Sequence, residues 1–245
     1  MGKVIVVASG KGGTGKTTAV GAISSCLAAM GNSTLCVDCD AGLRNLDITL
    51  GLTNYAASNL SHVVDGVCTI DEAIMKHPKI ENLSFLDAPP VYRAEYDLQK
   101  AKEIFAEVRE KFDFCLLDAP AGIGPDVEFV AALSDMAIIV ATGDASSIRD
   151  GQVMSAKLRE AGVEDVRLLV NRVRGKIFSV TGSNIDNMID SIGARLIGVI
   201  KEDREVSLAA NLETPLVLYS RKAAAKGFLK VAQRITGVDV PISVR

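Results

Sequence analysis

Short apolar runs alternate along this chain with longer stretches in which apolar residues return every three or four positions. The runs Lys3–Ala8, Ser33–Val37, Leu83–Leu86, Phe112–Leu117, Met136–Ala141, Val166–Val170 and Leu196–Ile200 read as strands. Most are continuous rather than alternating, the pattern of parallel strands buried on both faces. Helical spacing covers Thr17–Met30, Leu98–Glu110, Ser146–Glu160, Asn184–Ile192 and Arg221–Ile235. In the first of these, Val20, Ile23, Leu27 and Met30 share one face. Strand–helix alternation of this kind predicts right-handed βαβ units and an α/β fold, a doubly wound, mostly parallel sheet with helices on both faces. No repeat, low-complexity tract or Gly/Ser linker interrupts the pattern, and Pro89-Pro90 and His77-Pro78 read as loop punctuation. Residues 1–245 are therefore expected to form a single domain.

Composition narrows the core chemistry. Aromatics are only 4% of the chain and there is no Trp, so the core must be built from Val, Ile, Leu and Ala. That favours a helix-covered sheet over an aromatic-rich sandwich. A net charge of −3 gains little from counterion release, so no specific nucleic-acid partner is expected. No apolar run approaches the length of about 18 residues that spans a bilayer. Met1-Gly2-Lys3 leads straight into the first strand, so no cleaved leader is expected, and Val6 stands where a myristoylation signal needs Ser or Thr. The expected location is the cytoplasm. The odd count of 5 cysteines then reads as reduced thiols. Cys36 and Cys39 share an extended stretch, where their side chains face opposite ways, so they read as buried thiols rather than a metal pair. His62 and His77, the only 2 histidines, read as surface or packing residues.

The chemistry begins after the first strand. Gly10-Lys11-Gly12-Gly13-Thr14-Gly15-Lys16-Thr17 fits the phosphate-loop pattern G-x-x-x-x-G-K-[ST], set between a predicted strand and a predicted helix. Glycines let backbone N–H groups turn inward around phosphates, and the helix adds the positive end of its dipole. Lys16 supplies a point charge to the β- and γ-phosphates, and the Thr17 hydroxyl is a magnesium ligand, so ATP and Mg²⁺ are the expected cofactors. Val37-Asp38-Cys39-Asp40 places two carboxylates at spacing i, i+2, pointing the same way at the end of the second strand. They can hold magnesium-bound and attacking water; either alone can equally cap the following turn. Phe114-Cys115-Leu116-Leu117-Asp118 is an apolar strand ending in Asp, which suits Asp118 to accept from a magnesium-bound water. Pro120-Ala121-Gly122 then brings the Gly122 backbone toward the γ-phosphate position.

Lys11–Thr18 resembles the signature K-G-G-x-G-K-[ST]-[ST] of deviant Walker A ATPases. With Asp118-Ala119-Pro120-Ala121-Gly122, Asp40-Ala41-Gly42-Leu43-Arg44-Asn45-Leu46-Asp47, Leu50-Gly51-Leu52, Ser146–Asp150, Val170-Asn171-Arg172 and Ile197–Ile200, nearly the whole chain resembles the MinD/ParA family, its MinD branch most closely. The resemblance implies a slowly hydrolysing ATPase that acts in septum placement as an ATP-bound homodimer, with a regulatory protein partner stimulating hydrolysis. It further implies that Lys11 and Thr18 belong to the nucleotide loop, with Lys11 reaching the partner copy's phosphates. Asp40 would orient the attacking water, Asn45 answer the γ-phosphate, Asn171 read the adenine edge and Arg172 lie near the base. A ParA-like partitioning or flagellar-placement ATPase, or an ATP-dependent biosynthetic enzyme of related fold, are the alternatives. Lys201 stands where the family often has Pro, and Gly124-Pro125-Asp126 departs from the usual second switch.

MinD proteins usually finish in an amphipathic lipid-binding helix. Lys226-Gly227-Phe228-Leu229-Lys230 is similar to one, but Ala224, Phe228, Val231 and Ile235 recur around it at the spacing of a helix packed on the sheet. Lys222, Lys226, Lys230 and Arg234 would be its solvated ridge. The segment after Gly237 is short and Pro-broken, so no autonomous membrane binding is expected, only recruitment through a partner or through a tail outside this chain.

Overall fold

In the computed structural model, residues 1–40, 45–53, 58–87, 97–174 and 185–242 are described. The apolar strand β1 (Lys3–Ala8) runs through the middle of an eight-stranded sheet. Around it lie β2 (Thr34–Asp38), β3 (Met75–Lys76), β4 (Leu83–Leu86), β5 (Phe114–Asp118), β6 (Met136–Ala141), β7 (Asp165–Val173) and β8 (Arg195–Lys201). The order is β3-β4-β2-β5-β1-β6-β7-β8, parallel throughout except for β3 against β4. This is the doubly wound sheet that the continuous apolar runs predict.

Alternate residues of β1 feed the two layers of the core. Val4, Val6 and Ala8 face Phe105, Val130, Met154 and Met188. These come from α5 (Leu98–Lys111), α6 (Pro125–Ala131), α7 (Ala145–Glu160) and α8 (Ile185–Ile192). Ile5 and Val7 face the opposite layer, with Ile23, Leu27, Leu50, Phe228 and Val231. That layer holds α1 (Lys16–Ala29), α2 (Leu46–Leu50), α9 (Arg204–Asn211), α10 (Leu216–Tyr219) and α11 (Ala223–Ile235). Two further short helices, α3 (Leu60–Val64) and α4 (Ile70–Ala73), lie on the β2 side of the first layer.

Several boundaries differ from the periodicity reading, each for a local reason. β5 starts two residues later than expected, because the Phe112 N–H closes α5 on Val108 and the Asp113 carboxylate accepts the Ser33 N–H at 2.8 Å. Met30 leaves the apolar face of α1 and is 37% exposed, since Gly31 turns the chain away at φ 91°. Asn184 and Pro89-Pro90 lie outside the described residues. α11 buries Ala224, Phe228 and Val231 and exposes Lys222, Lys226 and Lys230. Arg234 does not belong to that solvated ridge: its guanidinium donates to the carbonyls of Ile197, Val240 and Pro241, each at 2.8 Å. The apolar face of α11 is thus used up on the sheet. No helix among the described residues is long and apolar enough to cross a membrane.

Candidate nucleotide site

β1, β2 and β5 end side by side, with Val7 opposite Asp118 and Asp118 opposite Asp38 in the strand register. The loop leaving β1 therefore lies over both acidic strand ends, at the carboxyl edge where doubly wound sheets bind ligands. Gly13 and Gly15 adopt φ of 81° and 91°, a region costly for any residue with a Cβ. A Cβ placed on Gly12 or Gly13 would meet nothing within 4 Å, so the loop is open at these positions. At Gly10 a Cβ would instead strike Asp150 of α7 at 2.5 Å, so this glycine serves packing. The Gly122 N–H donates to the Ser9 carbonyl at 3.2 Å, pinning the loop after β5 beside the glycine loop.

Lys16 is 6% exposed, and its Nζ donates to Asp118 Oδ1 at 2.6 Å, with Asp40 Oδ2 at 3.9 Å. Burial pushes the Asp118 pKa up, against the opposing pull of Lys16 and Thr17. Its second oxygen, Oδ2, is buried without a hydrogen-bond partner, as is Thr14 Oγ1. Asp38 is fully buried and its pKa is pushed up to about 7, first by desolvation and then by Asp118. Both its oxygens hold backbone: Oδ1 accepts from Asp40 at 2.9 Å and Oδ2 from Leu46 at 3.2 Å. The turn-capping role left open for one of the two aspartates thus falls to Asp38. Asp40 is the more accessible carboxylate, raised by burial and lowered by Lys16. Asn45 is exposed at the start of α2 and makes no capping bond.

On the far side of the loop a cavity of about 290 Å³ is lined by Gly15, Thr18, Asn171, Arg172, Lys201 and Phe228, among others. Asn171 Nδ2 donates to the Thr14 carbonyl at 2.8 Å and stands 2.4 Å from the position of a Cβ on Gly15. It therefore braces the glycine loop from this cavity. Arg172 has the unusual φ of 55°, and its guanidinium reaches the Gly13 carbonyl at 3.0 Å and Glu202 at 3.2 Å. Two larger cavities, of about 680 and 650 Å³, contain none of the expected site residues.

Lys11 points away from this centre. Its Nζ donates to Asp144 Oδ1 at 2.6 Å and to the Ser146 hydroxyl at 2.8 Å, at the N-terminus of α7. Desolvation pushes the Asp144 pKa up, but Lys11, the Thr142 and Ser146 hydroxyls and the Ser147 N–H together hold it well below the usual carboxylate range. Asp144 and Glu202 are site neighbours that the motifs do not reveal. Asp144 had a readable signal, since its spacing to Ser147 is that of an N-cap, and it accepts the Ser147 N–H at 3.0 Å. Glu202 had none.

An open glycine loop, a buried lysine, a helix-start hydroxyl and a buried carboxylate with one unpartnered oxygen suit a magnesium-bound polyphosphate. Together they define a P-loop nucleotide-binding protein. A family model described as an AAA domain matches residues 2–157. The septum site-determining protein MinD of Bacillus subtilis is 33% identical, covering 100% of this chain and 92% of that protein. A MinC:MinD cell division protein complex from Aquifex aeolicus superposes at a TM-score of 0.91 with 30% identity, covering 98% of both chains. MinD complexed with Mg-ADP from Pyrococcus horikoshii gives a TM-score of 0.85 with 28% identity, covering 96% of both chains. The chain belongs to the MinD branch of the MinD/ParA family of P-loop ATPases.

Proposed function

We propose that this chain is a cytoplasmic ATPase that binds Mg-ATP at the glycine loop, hydrolyses it slowly and acts in septum placement as a nucleotide-switched homodimer. A regulatory protein partner stimulates the hydrolysis. The observation that carries the reading is the unpartnered Asp118 Oδ2, buried beside Lys16 and Thr17 at the mouth of an open glycine loop. The relatives support it: one is named for septum placement, one is in complex with MinC and one with Mg-ADP. When bound, the magnesium nucleotide supplies the phosphoanhydride bond and neutralises charge on its leaving oxygens. Lys16 leaves Asp118 for the phosphates, Thr17 and Asp118 hold the cation and its water, and Asp40 orients the attacking water. The Gly122 backbone lies toward the γ-phosphate, Asn45 answers it from the start of α2, and Asn171 and Arg172 take the base. Lys11 crosses to the partner copy. With positioning and charge neutralisation carrying the catalysis, basal turnover is slow.

Asp40→Ala tests this assignment. It should leave Mg-ATP binding in place and slow single-turnover hydrolysis on the order of a hundredfold, the usual scale for a positioned acid–base group. Wild-type turnover in that variant would remove Asp40 from the reaction.

A further inference from the structure

The turn between β3 and β4 carries a buried histidine that the nucleotide site does not use. His77 is 5% exposed, and its Nδ1 accepts the backbone N–H groups of Lys79 at 3.0 Å and Ile80 at 3.1 Å. Two donors aimed at one ring nitrogen require its lone pair, so the proton sits on Nε2. Nε2–H then donates to the Leu50 carbonyl at 2.9 Å, 27 residues away in sequence. Desolvation, with the Lys79 charge acting the same way, holds the ring pKa below its ordinary value and keeps this neutral tautomer.

Leu50 is the last residue of α2, a helix of 5 residues that is too short to hold itself. Its first N–H, from Leu46, is held by Asp38 Oδ2 at 3.2 Å. One end of α2 is therefore tied to a nucleotide-site carboxylate and the other to His77. Between the ties α2 lies close on α1, where a Cβ on Gly21 would meet Thr49 Cγ2 at 2.5 Å. That close approach leaves α2 little room against α1, and the His77 bond sets where the helix ends. Asn45 and the Leu46 N–H, one turn away, are placed by it.

We propose that His77 is a positioning residue for the nucleotide site, fixing α2 through the Leu50 carbonyl and so fixing the Asp38 carboxylate beside Asp118. The proposal rests on the ATPase reading above. The variant that tests it is His77→Asn. An Asn side-chain oxygen can still accept the Lys79 and Ile80 N–H groups in a local turn, but it is too short to reach Leu50. Amide hydrogen exchange across Leu46–Leu52 should quicken by roughly tenfold or more while β1 and α11 amides stay as in wild type. Single-turnover ATP hydrolysis should fall roughly ten- to a hundredfold, the scale of a small misplacement, with Mg-ADP affinity unchanged. Unchanged exchange and turnover would overturn the proposal. Loss of the fold, or loss of Mg-ADP affinity in step with turnover, would also overturn it and make His77 a packing residue. If wild type itself fails to hydrolyse ATP while the exchange of α2 still responds, the tie stands and the ATPase reading falls instead.

Discussion

Lys16→Ala is expected to abolish measurable Mg-ATP binding at micromolar protein. The lost contact is a charged hydrogen bond to phosphate, worth about 1.5–3 kcal/mol, or roughly ten- to a hundredfold in affinity. Part of that contact is already engaged without nucleotide, because Lys16 sits 2.6 Å from Asp118. The ammonium must exchange one anion for another, yet the polyphosphate carries more charge and the low-dielectric site strengthens the difference. A second effect works in the same direction. Without Lys16, the fully buried Asp118 loses the cation that opposes its desolvation and is pushed further above the usual carboxylate range. A group raised in this way contributes stability at low pH and loses it as the pH climbs through its folded value. Calorimetry with Mg-ATP checks this; wild-type affinity would remove Lys16 from the site.

Lys11→Ala should separate nucleotide binding from turnover. Its ammonium is parked on Asp144 and Ser146, and both sides of that contact are partly exposed, so its loss costs about 0–1 kcal/mol of stability. Asp144 keeps the Thr142 and Ser146 hydroxyls and the Ser147 N–H, so the start of α7 survives. The glycine loop also retains Lys16 and the Asn171 brace. Mg-ADP affinity should therefore stay close to wild type. The cation that reaches the partner copy's phosphates is gone, so hydrolysis should fall on the order of a thousandfold, as for a charge supplied across an interface. Steady-state turnover beside Mg-ADP calorimetry gives the comparison. Wild-type turnover would reduce Lys11 to the surface charge bonded to Asp144.

The central layers of the fold were legible because their signals are long. β1, β4 and β6 fall at the bounds the apolar runs predict, and α1, α5, α7 and α11 within two residues. The short helices were not legible by periodicity. α2, α3, α4 and α10 have 4 or 5 residues each, less than two turns, so no 3.6-residue repeat can develop. Two of them nonetheless carry caps written in the sequence: Asn59 caps α3, and Thr69 with Glu72 forms a capping box on α4. In the site, a contiguous motif delivered Lys16, Thr17 and the glycines. His77, Asp144 and Glu202 act through partners 27, 133 and 30 residues away, and no local pattern encodes such pairings.

The ATP-switched dimer is tested most directly by the mass of the Asp40→Ala protein in solution. Multi-angle light scattering would be run with Mg-ATP, with Mg-ADP and without nucleotide. A dimer is expected with Mg-ATP and a monomer in the other two conditions. The same mass in all three would contradict the switch.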